Sequence, residues 1–266
     1  MEMLIATSVA ALLLAVLLPA VIASRAASDR MSCASNLKQV IQACHNFESR
    51  SGTLSRALFH RDLLPDLGYP EETRLVPLYA CPSDSEAAGD IATTRVSYFA
   101  NIGLDRWSAN GFLHPSVKQR LALVTDGTSQ TAAFAERLAW PDLVGQILDW
   151  DKLPQFWNRR LRDTAVRHDT LAGFADECEF RPLKPLTAWV HFSGYTHILT
   201  PNRPSCVNET ISSRPRAVTV SSLHPGGANV GFADGSVRFI SDRIDRDVWW
   251  ALATRNGNEI LTADSD

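Results

Sequence analysis

His224 and Asp234, with Ser221 and Ser222 just before the histidine, are the residue types from which a nucleophile, a general base and an orienting acid are assembled. Hydrolysis of that kind also needs an oxyanion hole and a strained turn presenting the serine. Neither a Gly-x-Ser-x-Gly elbow nor a second acidic motif accompanies the histidine. Asp126 and Asp234 offer carboxylates to calcium, but oxygen ligands do not recur around them at EF-hand spacing. Backbone geometry explains the same residues more economically. Asp126-Gly127 and Asp234-Gly235 are the dipeptide of tight turns, and Gly226-Gly227 marks conformations that exclude a Cβ. His224 is then expected to hydrogen-bond a neighbouring loop, and no catalytic residue, metal or cofactor is expected. The five cysteines include no Cys-x-x-Cys pair, which argues against a zinc ribbon or a thioredoxin motif. Of the seven tryptophans most are expected in packing, while Trp249-Trp250 would suit a sugar or another subunit if exposed.

The elements that would position these groups begin with an apolar run. Met3 to Ala23 carries no charge and at ~1.5 Å per residue reaches across the ~30 Å hydrocarbon layer. No basic stretch precedes it, and it exceeds the ~7–15 residues of a signal-peptide core, so a retained membrane anchor is expected rather than a cleaved leader. Beyond Arg25, apolar Ala27, Met31, Ala34, Leu37, Ile41, Cys44 and Phe47 recur at helical steps among polar Arg30, Lys38, Gln42 and Glu48. One helix of about 50 residues, ending near Gly52 and kinked at most by Pro19, is predicted.

The 14 Pro and 14 Gly that punctuate the chain predict short strands after a loop and short helix over 53–77. Strands are expected at 95–100, 121–125 and 131–136, the last two as a hairpin across Asp126-Gly127, and again at 188–191 and 217–221. Runs 229–233 and 236–240 flank Asp234-Gly235 and predict a two-residue type I′ hairpin. Residues 140–187, rich in aromatics, read as an inserted helical or irregular lobe. Composition is ordinary, 45% hydrophobic and 21% charged with pI ≈ 6.2, so neither a nucleic-acid partner nor disorder is indicated.

The order of several short motifs resembles a family of pilin-like proteins from planctomycete-type bacteria, a domain of unknown function with a prepilin-type N-terminus and a C-terminal His-x(nine)-Asp-Gly motif. The residues that carry the resemblance are Leu17-Leu18-Pro19-Ala20-Val21, Met31-Ser32-Cys33-Ala34-Ser35-Asn36-Leu37-Lys38-Gln39, His45-Asn46, Cys81-Pro82-Ser83-Asp84, Thr125-Asp126-Gly127-Thr128-Ser129, Gly194-Tyr195-Thr196-His197 and Pro204-Ser205-Cys206. The strongest is His224-Pro225-Gly226-Gly227-Ala228-Asn229-Val230 closing on Phe232-Ala233-Asp234-Gly235-Ser236-Val237. The prepilin glutamate would fall on Glu2, at the membrane edge, where the resemblance implies pairing with a neighbouring subunit's N-terminal amine. The Gly-Phe processing site and basic leader are absent from the sequence, which leaves processing and filament assembly open.

The resulting expectation is an α+β, pilin-like protein: residues 1–51 a transmembrane and amphipathic helix, 52–266 an extracytoplasmic head with an antiparallel sheet packed on the helix. Its function would be structural, as a pilin- or pseudopilin-like subunit anchored in the inner membrane with its head in the periplasm or at the cell surface. The partners would be the membrane and other pilin-like subunits. The alternative is a carbohydrate-binding or enzymatic envelope protein that uses the aromatic-rich lobe. An exported head permits disulfides. Cys33 and Cys44 lie ~16 Å apart on one helix and cannot bridge each other; Cys33 to Cys81 and Cys178 to Cys206 are expected, with Cys44 buried and free.

Overall fold

A computed structural model describes residues 2–56, 59–92, 95–104, 110–114, 116–139, 162–163, 165–166, 171–180, 184–185, 194–203, 205–208 and 216–258. The N-terminal run and the amphipathic segment form one helix, α1 (Glu2–Ser51), with Pro19 inside it. The helix stops at Gly52, which takes φ +74° and donates its amide to the Glu48 carbonyl at 2.7 Å, a left-handed C-terminal cap that suits glycine. Two environments share this rod. Leu12, Val16 and Ile22 are 67–68% exposed, whereas Cys33, Leu37, Val40, Ile41, Ala43 and Cys44 are buried in the core. Burial therefore starts later than the apolar spacing suggests, since Met31 stays 72% exposed.

The strands in chain order are β1 (Tyr98–Asn101), β2 (Ala132–Glu136), β3 (Arg162–Asp163), β4 (Ala165–Val166), β5 (Lys184–Pro185), β6 (Gly194–Tyr195), β7 (Cys206–Asn208), β8 (Arg216–Ala217), β9 (Gly227–Phe232) and β10 (Val237–Ser241). Five of them form the main sheet, in the order β10-β9-β2-β1-β6. The sheet is mixed rather than antiparallel, because β6 joins β1 in parallel. A parallel neighbour requires a long crossover, and the chain between Asn101 and Gly194 supplies it. The two-stranded sheet β3-β5 and the three-stranded sheet β4-β7-β8 lie outside this sheet. Within the expected lobe, 140–187, the described residues comprise β3, β4, β5 and a helix over Leu171–Phe180; the strand expected at 188–191 lies outside the described residues.

Helix α1 packs on β9, β2 and β10. Gly231 permits this approach: a Cβ there would collide with the Ile41 side chain and crowd Leu37. Polar pins hold the rest of the contact. His45 Nε2 lies 2.9 Å from the Ala233 carbonyl, Glu48 accepts the Leu121 amide at 2.6 Å, and Arg30 stands over the Phe239 ring. That amide bond accounts for one difference from expectation. Residues Leu121–Leu123 form a 3-10 turn and not a strand, since the segment is tied to the end of α1 and both edges of β2 are already taken by β1 and β9. At 217–221 only Ala217 is in a strand, in the small sheet; Val218 to Ser221 continue as buried chain whose amides and carbonyls reach Thr196 and Glu136.

The closing hairpin forms, but with a different turn. Gly235 donates to the Phe232 carbonyl at 3.0 Å, Phe232 to the Ser236 carbonyl at 2.8 Å, and of Asp234 and Gly235 only Gly235 has positive φ, +90°. These bonds define a three-residue loop with a left-handed bulge glycine rather than a type I′ turn.

Candidate functional site

The motif residues that looked scattered in the chain converge beneath α1, where β2 ends. Glu136 is the last residue of β2, and its antiparallel partner β9 brings Asn229 alongside. Asn229 donates its backbone amide to Glu136 Oε2 and its Nδ2 to Oε1, both at 2.8 Å. From the loop before β9, His224 places Nε2 at 3.4 Å from Glu136 Oε1 and 3.7 Å from Cys81 Sγ, with Nδ1 3.5 Å from Ser83 Oγ. Cys81 is bonded to Cys33 of α1, the Cα atoms 5.0 Å apart. Cys33, Cys81, Glu136, His224 and Asn229 are all buried.

Local turns fix each contributor. The short helix Pro77–Tyr79 delivers Cys81, whose amide donates to Ser97 Oγ at 2.9 Å, and Asn36 of α1 donates to the adjoining Ala80 carbonyl at 3.3 Å. Asp84 accepts the Ala139 amide at 2.6 Å and so ties the Cys81-Pro82-Ser83-Asp84 loop to the exit of β2. The His224 amide donates to Ser222 Oγ, and the Ser222 amide to Asn202, which itself sits at φ +64°. Gly226 takes φ +83°, and a Cβ on Gly227 would collide with the Ile240 carbonyl. The glycine pair thus has the backbone role expected of it.

The carboxylate facing His224 is Glu136, not Asp234. Ser221 Oγ accepts the Leu138 amide and Ser222 Oγ the His224 amide, so neither hydroxyl is presented as a nucleophile to the ring. Asp234 accepts from the Ser236 amide and hydroxyl at 2.8 and 2.7 Å. Slight burial raises its pKa, but the Ser236 bonds and Arg238 outweigh that and hold it below the usual carboxylate range. Asp126 does not turn a hairpin. It accepts the Gly257 and Asn258 amides at 2.7 and 2.9 Å and the Thr254 hydroxyl at 3.1 Å, clamping the C-terminal segment, beside Gly127 at φ +101°. Asp126 therefore spends both carboxylate oxygens on protein donors, and Asp234 spends Oδ1 on its own turn.

The cavity beside His224 and Glu136, lined by Ser83, Asp84, Ser97, Arg137 and Ser221 among others, has a volume of ≈ 10 Å³. That is room for about one water, not for an organic substrate. Arg137 is buried with its guanidinium 3.6 Å over the Phe99 ring, and burial lowers its pKa to about 9. As arranged, the cluster joins three chain segments to α1.

His197 takes no part in this cluster. It is buried, stacked 3.9 Å from Trp249, with Nδ1 2.9 Å from the Trp249 carbonyl and Nε2 3.2 Å from the Tyr195 hydroxyl. Burial lowers its pKa to about 3, a smaller opposing effect coming from the Trp249 carbonyl. Trp249 is buried and Trp250 half-buried, and both indole N–H groups donate to carbonyls of Leu199 and Ile198. This pair is core, not an exposed sugar platform.

The expected Cys33–Cys81 disulfide is present, Cys44 is free and buried, and Cys178 is disulfide-bonded; the side chain of Cys206, its expected partner, lies outside the described residues, as does that of Glu2. Glu136 is the member that motif reading overlooks. Its one signal in the sequence is an acid closing the otherwise apolar Ala132-Ala133-Phe134-Ala135.

No curated protein and no solved structure matches the chain. A family described as protein of unknown function DUF1559 matches residues 52–247, a span that holds Cys81, Glu136, His224 and Asn229 and most of the chain, and the protein belongs to that family.

Proposed function

We propose that the protein is a membrane-anchored structural component of the cell envelope, built on the plan of a pilin or pseudopilin subunit, with its head on the extracytoplasmic side of the inner membrane. The observation that carries this reading is the change of environment along α1. Its first half is apolar, long enough to cross a bilayer and exposed at every described side chain from Ala11 to Arg25, and its second half is core to the head with no break between them. In water such an exposed surface would be costly; in lipid, or against the same half-helix of another copy, it is covered. The Cys33–Cys81 disulfide agrees with a head matured in an oxidising compartment. The small size of the cavity beside His224, room for about one water, supports a structural role for the buried polar cluster.

The test is carbonate extraction of cells expressing the full chain, with the mature N-terminus determined and Leu14→Cys introduced in the exposed half of α1. The expected result is retention in the membrane and oxidative cross-linking of Leu14→Cys between copies. Release into the soluble fraction with an N-terminus near Ser24 would overturn the anchor, and retention without cross-links would reduce the protein to a tethered single head.

A further inference from the structure

The four side chains that meet beneath α1 have a second property. Cys33 Sγ, Cys81 Sγ, a Glu136 carboxylate oxygen and a His224 ring nitrogen all lie within 4.8 Å of one another, and all four residues are buried. With zinc–nitrogen and zinc–oxygen bonds of ~2.0–2.1 Å and zinc–sulfur bonds of ~2.3 Å, a tetrahedron sets nitrogen and oxygen ~3.4 Å apart and nitrogen and sulfur ~3.6 Å apart. His224 Nε2 is 3.4 Å from Glu136 Oε1 and 3.7 Å from Cys81 Sγ. Two edges of a zinc tetrahedron are therefore already in place. What the disulfide withholds is the pair of thiolates, since it is the thiolate that ligates metal.

We propose that reduction of the Cys33–Cys81 bond converts this cluster into a zinc site, with Cys33, Cys81, His224 and Glu136 as its four ligands. The joint between α1 and the head is then held by a covalent bond in the oxidised protein and by a metal ion in the reduced one. A dithiol reductant supplies the two electrons and two protons that turn the disulfide into two thiols, and its own sulfurs close into a disulfide. Binding Zn²⁺ releases both cysteine protons to water and leaves two thiolates on the metal. Two soft sulfur ligands select zinc over calcium or magnesium.

The supporting shell is already built. Asn229 orients the Glu136 carboxylate through both of its oxygens, and Oε1, with one lone pair taken by Asn229 Nδ2, keeps a second for the metal. The composition, two sulfurs with one imidazole and one carboxylate and no open position, is that of a closed structural site rather than a catalytic one.

The experiment uses the full chain in detergent, reduced with a dithiol, desalted without air and titrated with Zn²⁺ alone or with Co²⁺ as a spectroscopic stand-in. One zinc per reduced chain is expected, with tetrahedral cobalt bands and thiolate-to-cobalt charge transfer, and neither in the oxidised chain. His224→Ala should weaken zinc at least tenfold, and Asn229→Ala, which only positions Glu136, by roughly 10–100-fold. Cys44→Ser and Cys178→Ser should bind as the parent does, the latter because the proposed site does not use the other reducible cysteine. Reduced protein without cobalt–thiolate bands would overturn the proposal, as would unchanged affinity in His224→Ala or loss of the metal in Cys178→Ser. The histidine variant still forms its disulfide, so it remains decisive if a Cys33→Ser, Cys81→Ser chain does not fold.

Discussion

Replacing Glu136 by glutamine tests whether the buried cluster holds the head together through its carboxylate. Both oxygens accept from Asn229, at 2.8 Å each, and the side chain is buried. An amide of the same shape keeps one acceptor and sets an NH₂ against an Asn229 donor, whichever way it is turned. A hydrogen bond to a charged acceptor contributes about 1.5–3 kcal/mol, and a buried donor left unpaired costs about 1–3 kcal/mol. One water in the neighbouring cavity would recover part of this, so a net loss of roughly 2–4 kcal/mol is expected. In a domain of roughly 150–250 residues that lowers Tm by about 4–16 °C. Thermal unfolding of the oxidised full chain in detergent, followed by near-UV circular dichroism, measures it. Asp234→Asn, on the exposed hairpin, serves as the control and should shift stability by under ~1 kcal/mol. If Glu136→Gln melts within ~0.5 kcal/mol of the parent, the carboxylate is not what binds β2 to β9 and the reasoning fails.

Gly235 stands at φ +90°, so Gly235→Val should cost about 1–3 kcal/mol in urea unfolding while Gly235→Asn costs clearly less; equal midpoints for valine and glycine would contradict the bulged turn. The Cys44 thiol is pushed up to about 12 by burial, so iodoacetamide at pH 8 should leave it unmodified in the native protein and alkylate it in denaturant, and rapid native labelling would show an open core. His197, held by burial at about 3, is a base whose folded pKa lies below its unfolded value of ~6.5. The unfolded chain therefore binds the extra proton, and the stability this histidine contributes is present above pH ~6.5 and lost as the pH falls toward 3. Near pH 5 this histidine adds a slope of about 1.4 kcal/mol per pH unit, and His60, which burial likewise lowers, to about 4, adds a similar amount; in urea midpoints between pH 4.5 and 7, His197→Gln should therefore remove roughly half of the slope.

Helix α1 and the closing hairpin are legible in the sequence because each rests on a local signal, an uncharged run passing into a 3.6-residue stripe and a turn dipeptide between apolar runs. Cys33 with Cys81 is legible for a related reason: a helix margin and a loop-ending Cys-Pro are single features that restrict where a bridge can go. The type of turn at Asp234 is not, since Asp-Gly serves both the two-residue turn and the bulged one and the choice depends on how β9 and β10 register. Residues 121–125 look like a strand by composition, yet the bond from Leu121 to Glu48 of α1 is a tertiary fact invisible in that window. Glu136 is hidden in the same way, because an acid at the end of a strand reads as a solvent-facing terminus until Asn229 is seen beside it. The parallel seat of β6 depends on where a long crossover returns the chain.

The docking of Ile41 against Gly231 also sets a timetable for biosynthesis. The surface that receives the N-terminal helix is made largely by β9, among the last strands to be synthesised. At about 5–20 residues per second, the roughly 190 residues between the two contacts take on the order of 10–40 s to translate. Throughout that interval Leu37, Val40 and Ile41 lack the β9 and β10 part of the sheet on which α1 lies, and the head cannot complete its core segment by segment from the N-terminus. Completion of the core must wait for nearly the whole chain, and the stripe stays only partly covered until β9 arrives.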